Sequence, residues 1–114
     1  MKSIYRLKKN YQYNYVYKHA ASVADKNFVM LYCANNKTGA KQVTKVGFSI
    51  SKKYGKAVAR NRIRRQLKAA VSAVMPTVAE GYNVIFLPRR HEAYDYSDVC
   101  GSVVALFKRA GLLQ

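Results

Sequence analysis

Carboxylates are scarce in this 114-residue chain: five Asp and Glu stand against 21 Lys and Arg, giving a net charge of +16 and a pI near 10.1. A protein that hydrolyses phosphodiesters with two metal ions needs several carboxylates converging on them. Asp25, Glu80, Glu92, Asp95 and Asp98 are too few and too scattered in sequence to supply such a cluster. Cysteine is scarcer still. Cys33 and Cys100 show neither a CxxC nor any ligand spacing, which excludes a disulfide scaffold and a zinc module and leaves them as reduced packing residues. No apolar run approaches the ~20 residues of a membrane span. Residues 1–9 alternate charges with single apolar side chains, so they hold no signal-peptide core. Repeats, low-complexity tracts, dividing linkers and glycine-rich phosphate loops are missing as well. Half of the residues are hydrophobic, enough to bury a core. The expectation is one domain over residues 1–114, soluble and cytoplasmic, that seeks polyanions.

The charge is segregated. Residues 1–25 hold five basic groups and one acid, residues 26–79 hold twelve and none, and residues 80–114 hold four of each. The middle region therefore cannot neutralise itself with internal ion pairs. Nucleic acid is the natural counter-charge, because binding phosphates releases condensed counterions and turns Lys and Arg into affinity. An anionic membrane surface competes less well, since it calls for a basic amphipathic helix with large apolar anchors.

Periodicity places the elements. Residues 27–34 (NFVMLYCA) form a short, continuous apolar run that reads as a buried strand. Turn chemistry around Asn36 and Gly39 follows, then the alternating residues 43–51 (VTKVGFSIS), so the two runs predict an antiparallel hairpin. Ile63, Leu67, Ala70 and Val74 recur at helical spacing within residues 56–75, before Pro76. Residues 82–88 (YNVIFLP) are a further strand entered through Gly81. A last helix opens near Asp95 and Ser97 and closes with Lys108 and Arg109, an order that suits the helix dipole; Val99, Val103, Leu106 and Ala110 mark its buried face. The first segment fits two descriptions. Tyr11, Tyr13, Tyr15 and Tyr17 alternate like a strand, yet Leu7, Tyr13, Val16 and Tyr17 share a helical face with Asn10 as a candidate N-cap.

Residues 51–68 (SKKYGKAVARNRIRRQLK) concentrate eight cations. At about 100° per residue, Asn61, Arg64, Arg65 and Lys68 lie opposite the apolar stripe, with Arg60 and Arg62 on the flanks. Arginine suits phosphate because its planar fork binds two oxygens at once. A merely solvated helix face would interleave Glu with Lys or Arg, and this one does not. Lys52, Lys53 and Gly55 precede a helix N-terminus whose free N–H groups also favour phosphate.

Gly47-Phe48-Ser49-Ile50-Ser51-Lys52-Lys53, Gly55-Lys56-Ala57-Val58 and Arg60-Asn61-Arg62-Ile63-Arg64-Arg65 together resemble the signature of the bacterial ribonuclease P protein subunit. The similarity runs from Arg6-Leu7-Lys8-Lys9 through Ser22-Val23-Ala24 and Asn27-Phe28-Val29 to Arg89, covering residues 6–108. Departures are Tyr13 and Tyr17 where Phe is usual, Ala20 where Gly is common, Lys68-Ala69 for an Arg–acid pair, and Pro88 for a small residue. The resemblance implies an α+β domain of order α-β-β-β-α-β-α with a mixed sheet of about four strands, in which the first segment is a helix. It also implies a left-handed βαβ crossover, against the usual hand. It further implies the non-catalytic partner of a catalytic RNA that removes the 5′ leader of precursor tRNA, with Mg²⁺ held mainly by RNA and substrate. By the same resemblance Lys52, Lys53, Arg60, Asn61, Arg62, Arg64, Arg65 and Lys68 meet the RNA, while Tyr13 and Tyr17, with neighbouring Lys18, meet the leader.

Aromatic faces beside a positive groove are what sequence-tolerant single-strand binding requires. The plainer alternative is that both tyrosines only pack the helix on the sheet. His19 and His91 lack orienting carboxylates and are not expected to act as catalysts. Two rival functions share the charge: a structural RNA-binding protein of the ribosomal kind, and a duplex-DNA binder with the basic helix in a major groove.

Overall fold

Val84, Ile85 and Phe86 are consecutive and all buried, so the strand that carries them needs cover on both faces. In the computed structural model, which describes residues 5–35, 43–89 and 94–114, it has that cover. The elements are α1 (Asn10–His19), β1 (Ala21–Ala24), β2 (Phe28–Ala34), β3 (Lys45–Phe48), α2 (Ala57–Val74), β4 (Tyr82–Pro88) and α3 (Tyr96–Arg109), in the expected order. They build one mixed sheet of order β1-β2-β4-β3. β2 is antiparallel to both β1 and β4, whereas β3 and β4 run parallel and are joined through α2.

The predicted hairpin between β2 and β3 does not form, because β4 lies between them. Alternation tells which face of a strand is buried but not which strand is its neighbour. An edge position would leave one side of the largely apolar β4 unpaired, and the central position removes that exposure. Asn35 fastens the chain where it passes the end of β4. Its N–H donates to Gly81 O at 2.8 Å, and its Nδ2 donates to Tyr82 O at 3.1 Å and Val43 O at 3.2 Å. Asn36 and Gly39, on which the turn was expected, lie outside the described residues.

Strand alternation gives the sheet two unlike faces. Phe28, Met30, Val46, Val84 and Phe86 point into the main core with Ile63, Leu67, Ala70 and Val71 of α2 and Val99, Val103, Leu106 and Phe107 of α3. Val71 and Phe107 are more deeply buried than the expected Val74 and Ala110, which pack at the margin. On the opposite face, Ile85 with Leu31, Cys33 and Leu87 receives Leu7, Tyr13 and Val16.

That second face decides the fate of the tyrosine-rich segment. A lone strand would bury half of it, but a helix lets fully buried Val16 and half-buried Tyr13 reach Ile85 together. Docking of an amphipathic face outweighs β-propensity here. The N-cap is Lys9, not Asn10, and its N–H donates to Gln12 Oε1 at 3.2 Å. Lys18 and His19 occupy the last turn, where cations suit the helix dipole.

The β1–β2 turn is tied to α3 by a polar cluster. Asp25 Oδ1 accepts the N–H groups of Asn27 and Phe28, both at 2.8 Å. Buried Asn27 donates through Nδ2 to Ser102 Oγ at 2.8 Å, and Arg109 donates to Ala24 O. Burial works to raise the Asp25 pKa, but the Phe28 and Asn27 N–H groups, the Ser102 hydroxyl and the Arg109 charge outweigh it and hold the carboxyl below its ordinary range.

Candidate nucleic-acid interface

Lys52 and Lys53 sit in a 3₁₀ turn, Lys52–Tyr54, whose N-cap Ser51 accepts the Lys53 N–H at 3.1 Å. Tyr54 holds that turn to the body through Tyr94, which stacks on it at 6.5 Å and on Phe28 at 5.2 Å. The Tyr94 hydroxyl lies 3.0 Å from Asn27 O, and burial first, then Tyr54 and Asp25, push its pKa up to about 12. It stays a neutral hydrogen-bond donor, so the aromatic stack that places the two lysines does not titrate under ordinary conditions.

Along α2 the candidate RNA-binding residues divide into two groups that the helical spacing alone did not separate. Asn61, Arg62 and Arg65 are exposed and face away from Ile63 and Leu67. Arg60, Arg64 and Lys68 are half-buried, so Arg64 and Lys68 are not opposite the apolar stripe as the spacing predicted. They lean to the β3 edge of the sheet, with Arg64 donating to Asn61 Oδ1 at 3.0 Å. Arg60 Nε is enclosed and has no hydrogen-bond partner among the described residues.

At that edge the helix meets the other face of the sheet. The segment before α1 pairs along the outside of β3 through an Arg6–Val46 bridge, with Leu7 N–H donating to Val46 O at 3.0 Å. The pairing brings Arg6 to a cavity of about 130 Å³ that Arg64, Lys68, Tyr13, Gly47 and Phe48 also line. Burial, then the nearness of Arg6 and Arg64, lowers the Lys68 pKa. Three cations crowded together without a carboxylate would gain from a phosphate between them. In the sequence Arg6 stands out only through the family resemblance. Nothing in its local pattern could show that edge pairing would carry it to α2.

Tyr13 forms one wall of this cavity. Its hydroxyl donates to Leu7 O at 3.3 Å and accepts from the Phe48 N–H. Burial is the main cause of its raised pKa, partly offset by Phe48 N–H and by Arg6 and Arg64. One helical turn on, Tyr17 is exposed, its ring 6.4 Å from that of Tyr13 and tilted by 43°. Lys18 beside it is exposed too. Half-buried Leu31, Cys33 and Leu87 floor the sheet next to α1. Tyr13 is thus both a packing residue and a wall of the site, while Tyr17 offers an open ring. Tyr11 is exposed and the Tyr15 ring lies against that of His19 at 4.4 Å, tilted by 39°, so neither joins the pair.

The sequence profile of the ribonuclease P family matches residues 1–111. The chain belongs to the ribonuclease P protein family. The ribonuclease P protein component of Symbiobacterium thermophilum is 40% identical, with 100% of this chain and 97% of that protein covered. That of Clostridium kluyveri is 38% identical, with 96% of each covered. Among solved structures, the Staphylococcus aureus RNase P protein superposes with a TM-score of 0.84 at 28% identity, covering 96% of this chain and 98% of that one. The RNase P protein of Thermotoga maritima matches with a TM-score of 0.80 at 23% identity, covering 91% and 96%, a likeness of fold. Three helices on a four-stranded mixed sheet are therefore the ribonuclease P protein fold, as the signature residues implied.

Other candidates contribute less. Cys33 and Cys100 are free, and burial raises the Cys33 pKa, which keeps it a thiol. His91 and Glu92 lie outside the described residues. Among the described residues no three His, Cys, Asp or Glu side chains gather as metal ligands, and no helix is long and apolar enough to cross a membrane.

Proposed function

We propose that this protein is the protein subunit of a ribonuclease P ribonucleoprotein and serves the removal of the 5′ leader from precursor tRNA by a catalytic RNA. Lys52, Lys53, Arg60, Asn61, Arg62 and Arg65 bind the RNA partner; Tyr13, Tyr17 and Lys18 take the single-stranded leader; Arg64 and Lys68 stand between the two. The observation that carries this reading is the meeting of Arg6, Arg64 and Lys68 with the Tyr13 ring at the β3 edge. There a backbone phosphate finds cations while its base finds an aromatic face. A duplex-DNA reader would not need the aromatic half, nor would a protein that only braces folded RNA.

The rings and cations act by differential binding. Precursor carries a leader and mature tRNA does not, so contacts to the leader hold the substrate and release the product. The donors on this surface are guanidinium, ammonium and phenol, which do not suit a hard divalent cation that prefers several oxygen ligands. Mg²⁺ therefore belongs with RNA and substrate oxygens, and the protein helps by screening repulsion between the two RNAs. On this reading the hydrolytic step falls to RNA and the assembly works in the cytoplasm.

The test compares precursor tRNA, mature tRNA and duplex DNA in filter binding, with and without the catalytic RNA. Tyr13→Ala or Tyr17→Ala should each reduce the preference for precursor by ~1–3 kcal/mol, the worth of one base stack. Tyr17→Phe, which keeps the ring, should be near neutral, and affinity for the RNA partner should hold in all three. Normal discrimination by both Ala variants would return the tyrosines to packing alone. Site-specific cleavage of precursor tRNA by rigorously RNA-free protein would refute the assignment of chemistry to RNA.

A further inference from the structure

Gly47 is a buried position on β3, and glycine weakens a strand relative to Ala. Backbone conformation does not demand it, because among the described residues only Gly81 and Gly111 have positive φ. Space does. A Cβ built on Gly47 would lie 2.7 Å from Tyr13 Cζ and 3.0 Å from Cε1, and closer still to the hydroxyl oxygen. Carbon atoms settle at about 3.5–4.0 Å.

We infer that Gly47 is a positioning residue for the leader contact: its bare backbone is the seat on which the Tyr13 ring sets the height of α1 over the sheet. The inference rests on the leader reading above. The phenol is held from two segments at once, by Leu7 O outside β3 and by the Phe48 N–H on β3 itself. With the hydroxyl anchored and the ring against Gly47, Tyr13 has one place to sit. Tyr17 follows one turn later on the same rigid helix. Gly47 and Tyr13 also line the cavity shared by Arg6, Arg64 and Lys68, so a ring displaced from its seat narrows the space for a phosphate. A methyl group at 47 forces a shift of about 0.5–1 Å, large on the scale of a preorganised site.

The experiment is a double-mutant cycle of Gly47→Ala with Tyr13→Leu, read as the precursor-over-mature preference of the reconstituted complex. Thermal unfolding and RNA-partner affinity are measured alongside. Gly47→Ala alone should lower the preference about tenfold and leave partner affinity within twofold. In the Tyr13→Leu background, where the ring is gone, the same substitution should change the preference by less than twofold. If Gly47→Ala alone does not fold, the double variant should, and its failure to fold would overturn the inference by placing the clash elsewhere. A folded Gly47→Ala protein with full preference also overturns it, provided Tyr13→Ala and Tyr17→Ala lose theirs. Should those two retain full preference, the leader reading itself falls and takes this inference with it.

Discussion

Replacing Arg60, Arg62 and Arg65 together by Ala removes three guanidinium groups from α2 while leaving Ile63, Leu67, Ala70 and Val71 in the core. The fold should survive. Ala is at least as good a helix former as Arg, and Arg60 Nε gives up no hydrogen bond to the described residues. The cost should fall on RNA binding. Each phosphate neutralised on a duplex contributes about 0.9 to the slope of log K against log salt, so three contacts account for up to ~2.7. Extrapolated from 1 M to about 0.15 M salt, that slope is worth about two decades of affinity, or ~3 kcal/mol. The assay is a titration of catalytic RNA at four or more salt concentrations, with circular dichroism to verify folding. Wild type and variant should converge as salt rises, because the lost term is counterion release. A folded triple variant with unchanged affinity and salt slope would show that this face of α2 does not meet the RNA.

Two further predictions concern stability. Asp25→Asn keeps an acceptor for Asn27 and Phe28 but loses the charge. Because the folded pKa lies below the ordinary 3.8, the carboxylate stabilises the fold above that value, and the benefit disappears as pH falls through the folded pKa. Thermal unfolding of wild type and variant should therefore differ at pH 6 and converge at the acid end; a gap that persists there would refute the role given to the charge. Gly101 is exposed inside α3, and a Cβ there meets nothing within 4 Å. Gly101→Ala should raise stability by roughly 0.5–1 kcal/mol in a denaturant titration, and a loss would contradict the open surroundings of that position.

Some of this was legible because local chemistry and tertiary need agreed. The run YNVIFLP reads as a strand entered through Gly81, and β4 is Tyr82–Pro88. The spacing of Ile63, Leu67 and Ala70 gives the buried side of α2 directly. What was not legible depended on distant partners. The β2–β3 hairpin failed because the better neighbour for both strands comes more than thirty residues later. Asn10–His19 became a helix because Ile85 and Leu31 wait on the sheet, a fact absent from the tyrosine alternation. Arg6, Gly47 and the half-buried state of Arg64 and Lys68 all arise at one junction of three separate segments, which periodicity within any one segment cannot display.

In the proposed function, that junction is how so small a chain addresses two kinds of RNA surface. A sheet has two faces, and each carries a helix, α2 with its exposed arginines on the main-core side and α1 with its tyrosines on the other; in the proposed function each helix meets RNA. Two faces separated by a layer of backbone would ordinarily act independently. They are joined only where the sheet stops. β3 is the edge strand, the segment of Arg6 and Leu7 lines its outer side, and the cavity there brings together residues from α1, β3 and α2. Had β3 paired with β2 as the hairpin rule predicts, α2 would follow a strand differently placed in the sheet, and Arg64 would not face Tyr13. The strand order is thus a requirement of the proposed function as much as of the core. With β4 in the centre, the short strand that carries Gly47 lies at the rim, where in the proposed function cations from one face take a phosphate and a ring from the other stacks on its base.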